Sequence, residues 1–288
     1  LILAGPMLCH PPAAMLQSRL AASTGVPVIG MESPRGINDP RHGALAEILA
    51  RADLVVLLGK PHDFTLKFAD PPAVAAGCRF IVVDPEAAMV ERVVREKGAR
   101  VLLATVADAA AAATALIERT ERTHTASAWM AEVAAAIRFR PPAWAGLASA
   151  PGAWVHPVEL CRALVPYVEG KGYPVLVCDG GEIGQWPQAT LDPARRLING
   201  VAGSIGASIP FAIAASAAQT AAGSAGTVIA VMGDGTFGFH MAEFDTAVRY
   251  GLPFVAVVGN DAGWNAEHQI QLREYGRERA HGCELLAT

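Results

Sequence analysis

The sequence has no closely spaced cysteines, no cluster of like charges and no apolar run rich enough in large aliphatic residues to span a membrane. Its 5 cysteines are scattered without a CxxC pair, which argues against a disulfide framework or a zinc site and favours a reducing cytoplasm. The most apolar stretch, 203–223, is rich in Ala and Ser and contains Pro210, so it predicts a buried helix of a globular domain.

Charge is nearly balanced, since 23 Lys and Arg against 27 Asp and Glu give a net charge of −4. The basic residues do not form the footprint of a nucleic-acid or membrane binder, so we expect neither partner and favour small-molecule chemistry. Hydrophobic residues make up 52% of the chain and charged residues 17%, which is typical of a globular protein. A length of 288 residues suffices for two compact domains.

Short apolar runs bounded by Gly, Pro or Asp alternate with Ala-rich helical stretches, and this pattern occurs twice. It is typical of βα units and predicts an α/β protein with two Rossmann-like parallel-sheet domains. The predicted strands are 1–4, 27–30, 54–59, 79–84, 101–104, 174–179, 227–232 and 254–259. The predicted helices are 12–24, 42–51, 86–96, 107–119, 157–168 and 240–250, with another beginning near 203.

The order of these patterns predicts a central domain at 1–120, an interdomain connection with one helix at 121–154, and a second domain at 155–288. The chain begins directly on a strand-like run without Met, and it stops before another strand could complete the second sheet. We therefore expect a fragment, with the central domain truncated at its start and the second domain truncated at its end.

Two acidic residues follow neighbouring predicted strands of the second domain. Asp234 lies between Gly233 and Gly235 after one strand, and Asp261 follows the next. The carboxyl ends of strands in open α/β sheets are where ligands bind, and two acids there repel unless a cation lies between them. Mg²⁺ binds such carboxylates, so the pattern predicts a magnesium site, although a Gly-Asp-Gly turn alone is equally often structural.

The stretch GDGTFGFHMAEFDTAVRYGLPFVAVVGNDAGW, 233–264, resembles the thiamine diphosphate motif of the acetolactate synthase-like superfamily. The resemblance implies thiamine diphosphate and Mg²⁺ as cofactors. The metal ligands it implies are Asp234, the Asp261 side chain and the Gly263 carbonyl. Where this chain has Asp261 the family usually has Asn, so the site carries an extra negative charge. The amides of Gly235 and Thr236, beside Gly233, would face the diphosphate.

Two further segments resemble the same superfamily. The segment INGVAGSIG, 198–206, is similar to a family segment with two contacts to the bent cofactor. A bulky apolar residue, here Ile205, wedges under the cofactor, and a nearby backbone carbonyl accepts a hydrogen bond from the cofactor's amino group. That carbonyl would belong to Gly203, with Ser204 adjoining. The loop CDGGEIGQW, 178–186, resembles the strand-end loop that reaches the diphosphate, which implies Glu182 and Ile183. Close packing of a glycine-rich helix is the alternative interpretation.

Some conspicuous residues support weaker predictions. Glu267 and His268 follow the segment 260–264, which contains Asp261 and Gly263 and is called the metal loop below. They would be catalytic residues that relay protons to the substrate, or they form a solvated helix turn. We expect His240 and His156 at helix termini or in packing, and we expect Trp186 and Trp264 in pocket walls or the core.

The first domain resembles the central domain of the superfamily, which in some members holds FAD or ADP. The strand ends at Gly5 and Gly59 match those that flank such a nucleotide, but neither carries a GxGxxG. The run KPHDFTLKF, 60–68, is closer to 2-hydroxyacyl-CoA lyases and oxalyl-CoA decarboxylases, and 243–246 with the metal loop is similar to benzaldehyde lyase.

Three hypotheses of function follow. The leading one is a carboligase or decarboxylase acting on 2-oxo acids, and its rival is a lyase acting on a 2-hydroxyacyl-CoA or a 2-hydroxy ketone. The third is a non-catalytic nucleotide-binding or regulatory module. The resemblance also implies a homodimer or homotetramer, because a Glu from the amino-terminal domain of a partner subunit helps to activate the cofactor. We therefore expect these residues alone to be inactive.

Overall fold

The structure is a computed structural model that describes residues 1–120, 127–169, 172, 174–224 and 226–285. The chain divides into two compact units, Leu1–Phe139 and Arg140–Thr288. This division lies inside the predicted connection 121–154, whose first residues, 121–126, are outside the described residues.

The first unit is built on a parallel sheet of five strands in the order β2-β1-β3-β4-β5. Its strands are β1 (Ile2–Ala4), β2 (Val28–Gly30), β3 (Leu54–Leu58), β4 (Arg79–Asp84) and β5 (Val101–Val106). Successive side chains of a strand point to opposite faces, so Leu57 joins the core on one face and Leu58 the core on the other. Helices cover both faces, which explains why these strands are nearly continuous apolar runs.

The helices of the first unit are α1 (Met15–Thr24), α2 (Leu45–Leu49), α3 (Ala87–Lys97), α4 (Ala109–Arg119) and α5 (Ala128–Arg138). Short 3₁₀ helices are Pro6–Leu8, Gly36–Asn38, Pro40–His42, Phe64–Ala69 and Gly98–Arg100. Helix α5 is the helix expected in the connection, but it packs on the first unit. Its residue Val133 is buried in that core, and the Ala136 carbonyl accepts the Ala44 amide at 2.9 Å.

The second unit has a parallel sheet of four strands in the order β7-β6-β8-β9. The strands are β6 (Val175–Cys178), β7 (Arg195–Ile198), β8 (Val228–Gly233) and β9 (Val255–Gly259). The helices are α6 (Pro157–Val168), α7 (Gln185–Thr190), α8 (Ser208–Ala221), α9 (Asp234–His240), α10 (Glu243–Tyr250) and α11 (Asn265–Tyr275). Short 3₁₀ helices are Pro142–Trp144 and Arg277–Arg279.

Two parallel sheets with helices confirm the predicted α/β class, and every predicted strand is present within a few residues. Four elements were not predicted, namely β7, which begins with Arg195 and Arg196, α7, which contains Pro187, and the helices α9 and α11. The helix expected at 240–250 is present as α10, and the additional helix α9 begins directly at Asp234 and ends at His240. In the described part of the chain, no helix combines the length and apolar character that a membrane crossing requires.

We predict that Gly5→Ala strongly destabilises the first unit. A Cβ at Gly5 would lie 1.6 Å from the carbonyl oxygen of Gly59, so the ends of β1 and β3 would have to separate. The expected loss is about 2 kcal/mol or more of unfolding free energy, measured by chemical denaturation.

The matched control is Gly77→Ala, since a Cβ there meets no atom within 4 Å. We expect this control to change stability by less than about 1 kcal/mol. Equal stability of the two variants would contradict the close approach of the strand ends.

Candidate active site

A cavity opens at the carboxyl edge of the second sheet. Its walls come from the loop after β6, the segment before α8, the turn between β8 and α9, and the loop between β9 and α11. The lining residues are Gly180, Gly181, Glu182, Ile183, Ile205, Gly233, Asp234, Gly235, Thr236, Gly259, Asp261, Gly263, Trp264, Asn265, Ala266 and Glu267. Most of the residues predicted from the sequence therefore lie around one cavity.

The pairing of β8 with β9 places the two acids at this edge. The strands are parallel, and Gly233, the last residue of β8, pairs with Gly259, the last residue of β9. Asp234 follows the first of these and begins α9, while Asp261 lies two positions beyond the second. The sequence prediction that both acids follow adjacent strand ends is confirmed by this register.

Among the described residues, the oxygen atoms of the predicted metal ligands have no protein partner. Within the described residues, neither the Asp234 nor the Asp261 carboxylate takes part in a hydrogen bond or ion pair, and the Gly263 carbonyl accepts no hydrogen bond. Two carboxylates and a carbonyl are the hard oxygen ligands that Mg²⁺ prefers. The donor set that faces this cavity therefore fits a magnesium ion.

The metal loop has a defined local conformation. Ala262 has a positive φ of 55°, and its amide donates to the Asn260 side chain at 3.0 Å. The Trp264 amide donates to the carbonyl of Cys283 at 2.7 Å, and the Leu285 amide donates to that of Ala262 at 2.7 Å. These bonds fix the backbone on both sides of Gly263.

The described residues contain no group of three or more His, Cys, Asp or Glu side chains arranged to hold a metal ion. The predicted ligand set has two carboxylates and one backbone carbonyl, so this finding does not bear on it.

Glycines bring the backbone close to the side chains that wall the cavity. A Cβ at Gly235 would lie 2.8 Å from the Trp264 ring, and one at Gly259 would lie 2.6 Å from Ile183. A Cβ at Gly180 would lie 2.6 Å from Cγ2 of Ile205. These close approaches explain the glycines at the strand ends, since any larger residue would push the walls apart.

Asp179 is a buried acid that the sequence analysis did not single out. It follows β6 and is 1% exposed. Its carboxylate accepts hydrogen bonds from the amides of Gly180 at 2.7 Å, Gly206 at 2.9 Å and Ser208 at 3.0 Å. An acid directly after an apolar strand was the available signal, but its partners lie far along the chain.

Three of the predicted site residues do not line the cavity. Gly203 and Ser204 lie in the turn before α8, where the Gly203 amide donates to the carbonyl of Gly200 at 3.2 Å. His268 lies in α11, one residue beyond Glu267, which does line the cavity but is exposed to solvent.

The other conspicuous residues have structural contacts. His240 ends α9, and its Nδ1 lies 2.8 Å from the carbonyl oxygen of Gly206. His156 caps α6, where its Nδ1 accepts the Val158 amide at 3.2 Å, and its ring packs edge-on against Trp186. Trp186 is partly buried and packs against the core, and Trp264 belongs to the cavity wall.

In the first unit, the strand ends predicted to flank a nucleotide pack against each other, since a Cβ at Gly5 would collide with Gly59. The segment 60–65 that follows Gly59 is held by hydrogen bonds and charge contacts among its own residues. Lys60 is buried, donates to the Thr65 hydroxyl at 2.6 Å and lies 3.7 Å from the Asp63 carboxylate. Burial lowers the pKa of the Lys60 ammonium. These glycines and this lysine are therefore explained without FAD or ADP.

Comparison with known proteins identifies the second unit. Residues 179–285 match the family described as thiamine pyrophosphate enzyme, C-terminal TPP binding domain. The second unit is therefore similar to the cofactor-binding domain of the thiamine pyrophosphate enzymes. This confirms the resemblance that the motifs at 178–186, 198–206 and 233–264 carried in the sequence.

The relatives of this chain have two kinds of name. The 2-hydroxyacyl-CoA lyase 2 of Bos taurus is 29% identical over 98% of this chain and 45% of its own length. A probable acetolactate synthase of Mycobacterium bovis is 28% identical over 93% of this chain and 47% of its own length. The acetolactate synthase of Bacillus subtilis is 30% identical over 43% of this chain. The chain thus spans less than half the length of these relatives.

We predict that Gly235→Ala disturbs the cavity wall. The added methyl group would lie 2.8 Å from the Trp264 ring, a rigid group beside Gly263, so the metal loop must move. The expected cost is about 1–3 kcal/mol of unfolding free energy, measured by denaturant titration.

The control is Gly238→Ala in the same helix, where a Cβ meets no atom within 4 Å. Alanine favours a helix over glycine by about 1 kcal/mol, so this variant should be as stable as the original chain or more stable. A destabilisation of similar size in both variants would contradict the packing of Gly235 on Trp264.

Proposed function

We propose that this chain binds thiamine diphosphate and Mg²⁺ at the carboxyl edge of its second sheet and belongs to an enzyme that makes or breaks carbon–carbon bonds. One observation carries the proposal: Asp234, Asp261 and Gly263 line the same cavity as Ile205, and the ligand oxygens of the first three have no protein partner among the described residues. The match of residues 179–285 to the thiamine pyrophosphate enzyme family supports it.

The residues divide between the two ends of the cofactor. Asp234, Asp261 and the Gly263 carbonyl would hold the metal. Around the diphosphate, the backbone contacts would come from Glu182, Ile183, Gly233, Gly235 and Thr236.

Ile205 would support the bend of the cofactor. The carbonyl of Gly203, beside Ser204, would accept a hydrogen bond from the amino group of the cofactor. When bound, thiamine diphosphate would supply a nucleophilic carbon that adds to a carbonyl, and its cationic ring would accept the electron pair of the bond that breaks. The chain binds, bends and shields that group. Glu267 in the cavity wall and His268, which follows it in α11, are proposed to relay protons.

Two substrate classes fit this chemistry. We propose a 2-oxo acid as the first, in keeping with the relatives named acetolactate synthase. The second is a 2-hydroxyacyl-CoA or 2-hydroxy ketone, favoured by the bovine relative named 2-hydroxyacyl-CoA lyase 2, which aligns with 98% of this chain. A homodimer or homotetramer in the cytoplasm completes the proposal, since in similar enzymes two subunits hold the cofactor between them.

We predict that Asp234→Asn weakens Mg²⁺-dependent binding of thiamine diphosphate at least tenfold, or about 1.4 kcal/mol, because a charged ligand is lost. Asp261→Asn should retain Mg²⁺-dependent binding, since an amide oxygen still coordinates the ion and a negative charge beside the diphosphate is removed. Isothermal titration calorimetry with and without a chelator measures both effects.

Asp245→Asn is the matched control, because Asp245 lies in α10 and pairs with Arg249 at 2.6 Å outside the cavity. It should bind like the original chain. Binding unaffected by the chelator, or loss of all binding in Asp261→Asn, would contradict the ligand assignment.

The substrate classes are separated by product analysis. We predict that the full-length protein with thiamine diphosphate and Mg²⁺ releases carbon dioxide from a 2-oxo acid, whereas these 288 residues are inactive alone. Release of an aldehyde from a 2-hydroxyacyl-CoA, with no carbon dioxide from the 2-oxo acid, would instead establish the second class.

A further inference from the structure

Asp179 has a buried carboxylate with no cationic partner in the described part of the chain. Burial of a charge is costly unless hydrogen bonds compensate it, and here three backbone amides do so. Oδ1 accepts from Gly180 at 2.7 Å and from Gly206 at 2.9 Å, and Oδ2 accepts from Ser208 at 3.0 Å. The carboxylate therefore links the loop after β6 to the segment that enters α8.

The Gly206 amide ties Asp179 to the backbone next to Ile205. Gly206 follows it directly, and Gly206 has a φ of 97°, which favours glycine. The Gly206 carbonyl oxygen lies 2.8 Å from Nδ1 of His240, and a Cβ at Gly206 would lie 2.9 Å from the Phe239 ring. The residue after Ile205 is thus held at its amide by Asp179, at its carbonyl by His240 and at its α-carbon by Phe239.

Ile205 also packs on the other segment that Asp179 holds. Its Cγ2 lies 2.6 Å from the position that a Cβ of Gly180 would occupy. Asp179 accepts the Gly180 amide with the same carboxylate that accepts the Gly206 amide. A single buried side chain therefore sets the distance between Ile205 and the surface on which it packs.

We propose that Asp179 is a positioning residue for the thiamine end of the cofactor, which it controls by fixing Ile205. The inference rests on the proposed function, because it requires Ile205 to touch bound thiamine diphosphate. Asp179 itself does not line the cavity. Its effect should therefore pass through Ile205, while the diphosphate end remains anchored by Asp234 and Asp261.

The test compares two ligands, thiamine diphosphate with Mg²⁺ and inorganic pyrophosphate with Mg²⁺. Asp179→Asn keeps the shape of the side chain but replaces one acceptor by an NH₂ group that opposes a backbone amide. In calorimetric titrations, we expect this variant to bind thiamine diphosphate at least tenfold more weakly and pyrophosphate less than threefold more weakly. The matched control, Asp192→Asn, changes an exposed acid of the same unit and should leave both affinities unchanged.

A double-mutant cycle with Ile205→Ala shows whether Asp179 acts through Ile205. We expect Asp179→Asn to cost less than threefold in thiamine diphosphate affinity once Ile205 is alanine. Hydrogen exchange of the Gly206 and Ser208 amides should be faster in Asp179→Asn without any ligand. Should that variant not fold, Asp179→Ser, which leaves room for water, is measured in the same way.

The outcomes distinguish a failure of the proposed function from a failure of the role proposed for Asp179. If the original chain fails to bind thiamine diphosphate with Mg²⁺, the proposed function is overturned and this inference falls with it. If the original chain binds and Asp179→Asn binds equally well, or weakens both ligands to the same extent, only the role of Asp179 is overturned. Additive effects of Asp179→Asn and Ile205→Ala also overturn it.

Discussion

The parallel register of β8 and β9 is the constraint on which the candidate site depends. Gly233 pairs with Gly259, so the residues that follow them leave the sheet at the same edge. One strand continues directly into α9, and the other continues into the loop that contains Asp261 and Gly263. A shift of one residue would turn every side chain of a strand to its opposite face and separate the two acids.

At this edge of the sheet, glycines allow the cavity walls to pack directly against the backbone. Gly180, Gly235 and Gly259 each lie where a Cβ would come within 3 Å of a wall residue. The walls they meet are Ile205, Trp264 and Ile183, all of which line the cavity. Small residues at strand ends thus let the cavity walls reach the backbone.

Sequence patterns predicted much of this arrangement, because apolar runs ending in glycine mark buried strands and parallel strands expose their carboxyl ends together. β7 escaped prediction because its first two residues, Arg195 and Arg196, do not look buried, and at the edge of the sheet they need not be. Helix α5 was assigned to a connection because only its packing through Val133 shows which unit it joins.

Asp179 illustrates what a sequence does not reveal. Its partners Gly206 and Ser208 lie 27 and 29 residues away, and they are backbone amides, which carry no residue-specific signal. By contrast, the placement of Asp234 and Asp261 follows from two adjacent strands. Local sequence patterns therefore predict which residues lie at the edge of the sheet, whereas long-range hydrogen bonds determine how those residues are positioned.

The most direct test of the proposed site is a crystal structure of the protein with thiamine diphosphate and Mn²⁺, whose anomalous scattering locates the ion. The account predicts one metal peak coordinated by the carboxylates of Asp234 and Asp261, the Gly263 carbonyl and the diphosphate oxygens, with Ile205 against the bent cofactor. A metal peak at other residues, or cofactor density away from this edge of the sheet, would contradict it.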